Sequence, residues 1–423
     1  MIVALALIVL ALLGAPLFAV IAASALWGYH QGEVDLSAIA IEFYRIAETP
    51  VLVAIPLFTF AGYVLSESGA PHRLVRVSQA FLGWLPGGLA FVALAACALF
   101  TAFTGASGAT IVALGALLYP ALKESGYPDR FSLGLVTAGG SLGMLFAPAL
   151  PLILYGIVAQ QMPAGRGMTI DELFIAGAVP GALQVLMLGG FAVWVHRKAG
   201  VKLQSFSWRE ARLALTECAW EIPLPIVVLG GIYSGYFAVS EAAAVTAIYV
   251  LIVEVFIHRE VRLKELPNVM RQSMVLVGGI VIILGVALAS TNVMIDAGIP
   301  ERVVAWTTSQ IHDRTTFLLL LNLFLIAMGM MLEILAIVLV VPLLLPVAVT
   351  YGVHPVHFGI IMLATLQLGY LLPPVGLNLF VAAYRFNKPV LEVVRACLPF
   401  IGILLISTLL ITYWPALSLF LIT

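Results

Sequence analysis

Residues 115–151 are GALLYPALKESGYPDRFSLGLVTAGGSLGMLFAPALP, and residues 342–377 are PLLLPVAVTYGVHPVHFGIIMLATLQLGYLLPPVGL. A constant offset of 226 residues aligns Pro120 with Pro346, Gly126 with Gly352, Gly143 with Gly369, Leu145 with Leu371, and Pro148 with Pro374. Matches at one fixed spacing, prolines among them, indicate an internal repeat. We therefore predict three regions, which are a first repeat at 1–196, a basic linker with one extra span at 197–238, and a second repeat at 239–423.

The composition predicts an all-α polytopic membrane protein. Hydrophobic residues make up 62% of the 423 residues and charged residues 10%, whereas soluble domains have about 25% charged residues. The apolar stretches are continuous rather than alternating, which excludes a transmembrane β-barrel. The net charge of −1 argues against a nucleic-acid partner, since nucleic-acid binding depends on basic residues. Cys97, Cys218 and Cys397 follow no metal or disulfide spacing and are expected to be small buried residues.

Hydropathy divides the chain into spans that are each long enough for a bilayer. Full spans are predicted near 1–27, 50–67, 132–160, 173–196, 223–238, 239–257, 273–295, 357–383 and 397–420. With the N-terminus inside, 16 of the 20 basic residues lie on the inner side, among them Arg130, Lys198 and Arg395. This bias follows the positive-inside rule. It depends on 223–257 crossing twice rather than once.

Two apolar blocks, 87–122 and 316–350, carry a central break and are predicted to be re-entrant helical hairpins. The first break is Thr104-Gly105-Ala106-Ser107-Gly108-Ala109-Thr110, and the second lies near Gly329 to Glu333. Non-helical backbone survives at membrane depth only where protein or a wet cavity satisfies it. The span map places the two hairpin entrances on opposite sides, so the repeats are predicted to be inverted. Inverted repeats with interrupted helices are typical of secondary transporters.

In each half the hairpin is followed by a span that glycine and proline interrupt in mid-bilayer. The interruptions are 139–148, which contains Gly143 and Pro148, and 366–378, which contains Gly369 and Pro374. Unwound backbone exposes carbonyl oxygens that suit Na⁺, and the freed half-helix N-termini suit a carboxylate. We therefore expect one ion site in each half, with an anion site possible between them.

Four polar side chains lie at these breaks. Ser107 and Thr110 can donate hydroxyl oxygens at the first tip. Glu333 is an intramembrane acid with no basic residue near it in sequence, so it is expected to be a cation ligand or a protonation site. Asn378 can donate to a substrate carboxylate. Glu241 is expected to cap a helix rather than to contact substrate.

The segments 71–84 and 201–220 mix basic and aromatic residues, which is typical of helices that lie in the headgroup plane. They are expected to connect a moving hairpin domain to a static scaffold.

The chain resembles the large membrane subunit of tripartite ATP-independent periplasmic (TRAP) transporters. The matching stretches are Ile55-Pro56-Leu57-Phe58 with Ala61-Gly62, residues 104–110, Gly126-Tyr127, Tyr155-Gly156, Leu173-Phe174-Ile175-Ala176-Gly177 with Pro180-Gly181, Gly230-Gly231-Ile232-Tyr233-Ser234-Gly235, Glu241-Ala242-Ala243-Ala244-Val245, and Pro373-Pro374-Val375-Gly376-Leu377-Asn378-Leu379. The chain departs from the family pattern in two places. It has Glu333 where an aspartate is usual, and Ala147-Pro148 where a proline pair is usual.

The resemblance implies a multi-pass subunit of the bacterial inner membrane that is not an enzyme. It would couple Na⁺ to the import of an organic acid, such as a C4-dicarboxylate or sialic acid, by an elevator movement. Its implied partners are a small four-helix membrane subunit, a periplasmic substrate-binding protein and membrane lipid. No organic cofactor is implied.

The resemblance also implies residues for the two kinds of site. Those for sodium are Thr104, Gly105, Ser107, Gly143, Leu145, Pro148, Gly329, Glu333, Gly369, Leu371 and Pro374. Those for the substrate are Ser107, Thr110, Ala149, Gly376 and Asn378.

Three other functions compete with this one. A stand-alone sodium–dicarboxylate symporter would have a similar hairpin architecture but no partner subunits. An intramembrane serine protease is suggested by the G-x-S-G pattern at Gly105-Ala106-Ser107-Gly108, yet the histidine base that it needs is missing, since all seven histidines are expected at span ends or in loops. A channel would show flux that neither saturates nor requires Na⁺.

Overall fold

The computed structural model describes residues 3, 6, 7, 9, 10, 13–200 and 206–422. Within these residues the secondary structure is helical and contains no strand. Seven helical stretches of the described chain are long and apolar enough to cross a membrane. They are Pro50–Glu67, Asp129–Gln160, Ile170–Ala199, Val239–Ile257, Leu266–Asp296, Arg314–Thr350 and Val390–Tyr413. The predicted all-α membrane class is confirmed.

The helices of the first 200 residues are α1 (Leu17–Gln31), α2 (Ala38–Ala47), α3 (Ala54–Glu67), α4 (Ala70–Leu82), α5 (Gly88–Thr104), α6 (Ser107–Glu124), α7 (Asp129–Gly139), α8 (Leu150–Gln160) and α9 (Ile170–Ala199). After them come α10 (Trp208–Glu217), α11 (Pro223–Tyr233) and α12 (Val239–Leu251), which a π-helical turn extends over Ile252–Ile257. The remaining helices are α13 (Leu266–Asp296), α14 (Ile299–Gln310), α15 (Arg314–Leu332), α16 (Ala336–Thr350), α17 (Pro355–Gly369), α18 (Leu377–Phe386), α19 (Val390–Tyr413) and α20 (Ala416–Leu419). Short 3₁₀ turns lie at Pro50–Val53, Leu142–Leu145, Pro163–Gly165 and Glu333–Leu335.

Local sequence signals set the ends of these helices. At the start of α9, Thr169 and Glu172 form a reciprocal capping box, and Gly200 in the left-handed region (φ +64°) ends the helix. These signals satisfy backbone groups that a helix end leaves without partners. At the start of α12, the Glu241 carboxylate accepts a hydrogen bond of 2.9 Å from the Ala238 N–H, so its predicted capping role is confirmed.

Two predicted spans are wrong in extent. The span 1–27 is not one helix, because a turn at Leu13 and Gly14 precedes Pro16, and α1 begins only at Leu17; most of residues 1–12 lie outside the described residues. The span 223–238 ends at Tyr233, where Ser234 and Gly235 (φ +74°) turn the chain. An 11-residue helix is about 16 Å long, about half of a bilayer core. The chain does reverse here, since the Tyr249 hydroxyl in α12 donates to Trp220 O at 2.7 Å.

The order of elements recurs along the chain. A span, a short helix, a helical hairpin, a broken span and another span occur as α3 to α9 and again as α13 to α19. The arms of the second hairpin close at their far ends, where Phe317 and Tyr351 stack with ring centroids 4.3 Å apart. The predicted hairpins at 87–122 and 316–350 therefore correspond to α5–α6 and α15–α16.

Helix contacts divide the molecule into two groups. The helices α1, α2, α3, α12 and α13 pack on one another, and the hairpins, broken spans, α9 and α19 pack on one another. The groups meet closely at Gly62 of α3, where a Cβ atom would lie 2.5 Å from Thr104 Cα at the first hairpin tip.

The predicted headgroup helices occur as α4 and α10, which contact each other; residues 201–205 of the second segment lie outside the described residues. Their placement in the headgroup plane stays a prediction.

Candidate substrate and cation site

The first hairpin tip is held to the first broken span by threonine hydroxyls. The helix α5 ends at Thr104, Gly105 takes a left-handed conformation (φ +65°), and α6 begins at Ser107. The Thr101 hydroxyl donates to Gly140 O at 2.8 Å and lies 2.7 Å from the Thr110 hydroxyl. These two bonds join both hairpin arms to the end of α7.

Glycine permits the same close approach in both halves. A Cβ atom on Gly143 would lie 2.3 Å from Ala98 O in the first hairpin, and a Cβ atom on Gly369 would lie 2.4 Å from the carbonyl carbon of Gly329 in the second. Only a residue without a side chain fits at either position. In each half, the first arm of the hairpin therefore contacts the break directly. The contact lies at Gly143 in the first half and at Gly369 in the second, which the 226-residue offset aligns.

The second hairpin tip carries an acid in a strained conformation. Glu333 ends α15 with φ +51° and ψ −142°, a region that non-glycine residues rarely occupy. Its carboxylate makes no hydrogen bond or ion pair with any described residue. Strained residues of this kind cluster at functional sites.

The two broken spans run in opposite directions. Lys388, just beyond the second broken span, donates to Asp129 at the start of the first, with a distance of 3.2 Å from Nζ to Oδ2. At the other end, the Tyr155 hydroxyl in α8 donates to Pro355 O at the start of α17, at 2.6 Å. The start of each broken span thus lies beside the end of the other.

The second arm of the first hairpin lies parallel to the second half-helix of the other break. A Cβ atom on Gly108 would lie 3.4 Å from Val381 Cγ2, and Arg385 Nε donates to Val112 O at 3.0 Å. Both contacts join residues 273 positions apart, so α6 and α18 keep one register. Their N-termini, at Ser107 and Leu377, therefore lie at the same end of the pair.

Polar side chains at these two N-termini and at the end of α17 are buried without partners among the described residues. Ser107, Gln367 and Asn378 each have 0% exposure. The Ser107 Oγ and both amide atoms of Gln367 and Asn378 have no hydrogen-bond partner in the part of the chain that the structure describes. An unsatisfied buried polar group costs about 1–3 kcal/mol. Each such group needs an explanation, and a bound ion, water or ligand is one that fits a site between helix ends.

The described structure contains every predicted site residue. Thr104, Gly105, Ser107 and Thr110 lie at the first tip, and Gly143, Leu145, Pro148 and Ala149 lie in the first break. Gly329 and Glu333 lie at the second tip, and Gly369, Leu371, Pro374, Gly376 and Asn378 lie in or just after the second break. Both breaks contain a cis peptide bond before proline, at Pro148 and Pro374. That these residues bind Na⁺ or substrate stays a prediction.

Sequence reasoning missed Thr101 and Gln367. Thr101 carries the contact between hairpin and break, and Gln367 is an unpartnered amide beside the second break. The offset of 226 aligns Gln367 with Ser141, which is also buried. The occurrence of polar residues at both equivalent positions, Ser141 and Gln367, could have identified Gln367 from the sequence.

A buried ionic cluster connects α4 to the ends of α11 and α12. Arg73 binds Glu221 at 2.5 Å, Glu254 at 3.0 Å and Glu260 at 2.6 Å. The Gly69 N–H also donates to Glu260, at 2.7 Å. Burial alone would raise the pKa of Glu260, but the hydrogen bonds from Arg73 and Gly69 hold it below its ordinary value of 4.5. The cluster fixes the helix α4, which leads directly into the first hairpin.

Comparison with known proteins identifies the family. The model for "Tripartite ATP-independent periplasmic transporter, DctM component" matches residues 2–417. The chain belongs to this family. The C4-dicarboxylate TRAP transporter large permease DctM of Rhodobacter capsulatus is 35% identical over 400 residues, which are 92% of this chain and 90% of that one. The isethionate TRAP transporter permease DctMQ of Oleidesulfovibrio alaskensis is 35% identical over 92% of this chain and 61% of its own length.

A solved structure shares the fold. The crystal structure of the Alcanivorax borkumensis YdaH transporter, described as having an unusual topology, matches with a TM-score of 0.63 and 16% identity. It covers 90% of this chain and 88% of the YdaH chain.

Family membership settles several of the sequence-based predictions. The protein is a TRAP large permease of the inner membrane, a transporter subunit and not an enzyme. The family works with a small membrane subunit and a periplasmic binding protein. The geometry agrees in excluding a serine protease, since the buried Ser107 hydroxyl has no histidine within hydrogen-bond distance.

Proposed function

We propose that this TRAP permease imports a small organic acid together with Na⁺, and that it binds the acid where the first hairpin tip meets the second break. The observation that carries the proposal is the parallel pair α6 and α18, whose N-termini present the unpartnered Ser107 and Asn378. Relatives named for C4-dicarboxylate and isethionate indicate an anion with a carboxylate or sulfonate group. Sialic acid fits the same chemistry.

The anion site rests on helix dipoles and hydrogen-bond donors. Each helix N-terminus has backbone N–H groups without intrahelical partners and about half a unit of positive charge. Two such ends side by side favour a carboxylate without any basic side chain. The hydroxyl of Ser107 and the amide of Asn378 add donors that are satisfied only when an acceptor is bound.

The cation sites rest on the same breaks. The last carbonyl groups of α17 accept N–H groups of the following turn, as at Leu366, Leu368 and Gly369. Each carbonyl oxygen has a second lone pair, and carbonyl oxygens are suitable ligands for a hard cation. In the second half, Glu333 supplies a carboxylate that no described cation neutralises. A Na⁺ ion beside Gly369 and the second tip would balance this charge.

The elevator mechanism is supported by the division of the helices into two groups. An apolar crevice of about 540 Å³ lies between α11, which packs on α12 of the first group, and α5 and α9 of the second. Leu229 and Tyr233 lie on one wall, and Phe91, Ala98 and Val185 lie on the other. The Tyr233 hydroxyl donates one long hydrogen bond across the crevice, to Phe174 O at 3.5 Å. The other contacts are apolar and therefore non-directional, which permits sliding. The antiparallel broken spans support the inverted repeats that such transporters use.

Uptake into proteoliposomes that contain this chain and its small subunit tests the proposal, with the cognate binding protein added outside. Radiolabelled C4-dicarboxylate should accumulate under an inward Na⁺ gradient and not under a K⁺ gradient. Ser107→Ala and Asn378→Ala should each reduce uptake about tenfold or more, because each removes a donor worth about 1.4 kcal/mol or more to a buried anion.

The matched control is Ser273→Ala, which removes a buried hydroxyl in α13 that donates to Met270 O. This variant should keep most of its uptake. Full uptake without Na⁺ would overturn the coupling. Uptake without the small subunit and binding protein would favour a stand-alone symporter, and unchanged uptake in both site variants would overturn the site.

A further inference from the structure

A cavity of about 530 Å³ lies among the ends of α7, α9 and α19. Each of the three helices gives this cavity one cation and one phenylalanine. The cations are Arg130, Lys198 and Arg395, and the phenylalanines are Phe131, Phe191 and Phe400. The cavity belongs to neither the candidate site nor the ionic cluster around Arg73.

The phenylalanines form the apolar floor of the cavity. Their ring centroids lie 5.4 to 5.7 Å apart in all three pairs. Trp194 stacks on Phe191 at 5.9 Å and remains 57% exposed. Exposed tryptophan is typical of the membrane–water interface, where one face of the ring meets lipid.

The cations at the rim have no acidic partner among the residues that the structure describes. No acid lines the cavity, and Arg130, Lys198 and Arg395 form no ion pair with any described residue. The nearest acids along the chain are already engaged, because Asp129 pairs with Lys123 and Lys388, and Glu392 pairs with Lys388. Three like charges above an apolar floor therefore lack a counter-charge.

We infer that this cavity binds an anionic phospholipid, whose phosphate lies among Arg130, Lys198 and Arg395 and whose acyl chain lies against the phenylalanine floor. Basic pockets between transmembrane helices on the cytoplasmic side are suited to anionic headgroups. All three cations belong to the set that the positive-inside rule assigns to the inner side. The apolar floor favours a lipid over a free phosphate, because a soluble anion gains nothing from it.

Bound lipid would hold the ends of α7, α9 and α19 together. Thermal unfolding of the purified chain in detergent tests this, with phosphatidylglycerol or phosphatidylethanolamine of the same acyl chains added. Phosphatidylglycerol should raise the unfolding temperature by several degrees more than phosphatidylethanolamine. Free glycerol phosphate at the same concentration should have no effect.

The combined variant Arg130→Gln, Lys198→Gln and Arg395→Gln should lose the difference between the two lipids. A matched variant, Arg209→Gln, Arg212→Gln and Lys264→Gln, removes three basic residues of the same predicted inner side that line none of this cavity. It should keep the difference. If the first variant and the unaltered protein show the same difference in unfolding temperature between the two lipids, the site is overturned. Stabilisation by glycerol phosphate would show that the cavity binds a free anion instead of a lipid.

A second measurement does not depend on the charge variants folding. Brominated acyl chains quench nearby tryptophan, so brominated phosphatidylglycerol should quench the protein more strongly than brominated phosphatidylethanolamine. Trp194→Phe should remove this excess quenching. Equal quenching by the two lipids, or an excess that persists without Trp194, would contradict the proposal.

Discussion

The backbones of Gly329 and Gly369 are in direct contact, since a Cβ atom on Gly369 would lie 2.4 Å from the carbonyl carbon of Gly329. This contact fixes the second hairpin against the second break. The aligned residue Gly143 makes the corresponding contact with the first hairpin. In each half of the TRAP permease, a direct backbone contact between the hairpin and the break therefore positions the site.

Gly369→Ala should destabilise the protein by about 1–3 kcal/mol through overpacking and should reduce uptake. The added methyl group would meet backbone atoms, which cannot move aside as a side chain can. Gly279→Ala in α13 is the control, because no described atom outside its own stretch of helix lies within 4 Å of its Cβ position. Thermal unfolding in detergent compares the two variants. Equal stability of both would show that the contact is looser than the structure indicates.

Glu333→Gln should raise the Na⁺ concentration for half-maximal uptake by about tenfold, which corresponds to about 1.4 kcal/mol. The amide keeps the size of the side chain and loses its charge. Glu333→Gly should weaken Na⁺ coupling equally while relieving the strain of φ +51°. Glu301→Gln, an exposed acid in the first turn of α14, should leave the titration unchanged. An unaltered sodium titration in Glu333→Gln would remove Glu333 from the cation site.

Arg73→Met should destabilise the protein by about 3–5 kcal/mol, because it leaves buried carboxylates without their counter-charge. The side chain of Glu254 is 0% exposed and that of Glu221 is 3% exposed, so neither can regain water. The control is Arg76→Met one turn along α4, whose partners Glu210 and Glu217 are about half exposed. Denaturant unfolding should show a much smaller loss for Arg76→Met. Similar losses of stability in the two variants would mean that the contribution of Arg73 does not depend on the burial of its partners.

Protonation of Glu260 at low pH should weaken the ionic cluster that holds α4. Its pKa in the folded protein lies below the ordinary value of 4.5, so its stabilising contribution is present above that value and is lost as the pH falls through the folded pKa. The unaltered protein should therefore lose more stability than Glu260→Gln as the pH falls from about 5 to about 3. Thermal unfolding of both across this range measures the difference. Parallel curves for the two proteins would contradict this assignment.

The parts of the site that lie where a helix is interrupted could be predicted from the sequence. The repeat offset identified Gly143 and Gly369, and the polar tip identified Ser107, because glycine, proline and serine are clustered at these breaks. Single prolines such as Pro120 and Pro346 lie inside continuous helices. Thr101 was not predicted, since a threonine in an apolar helix does not indicate which neighbour its hydroxyl faces. The cluster pairs Arg73 with Glu260, which is 187 positions away, and only the tertiary fold brings them together. Hydropathy also overestimated the span after Pro223, because it does not register the turn at Gly235.

Substrate is proposed to bind between α6 and α18 in a Na⁺-dependent way. Val381→Cys places a thiol on α18 beside Gly108, one turn beyond Asn378, while Cys97, Cys218 and Cys397 are buried and serve as the unreactive background. The rate at which a small, membrane-impermeant thiol reagent modifies Val381→Cys tests the claim most directly. We predict that C4-dicarboxylate slows this rate in Na⁺ and leaves it unchanged in K⁺. Equal rates with and without substrate in Na⁺ would contradict a site at this position.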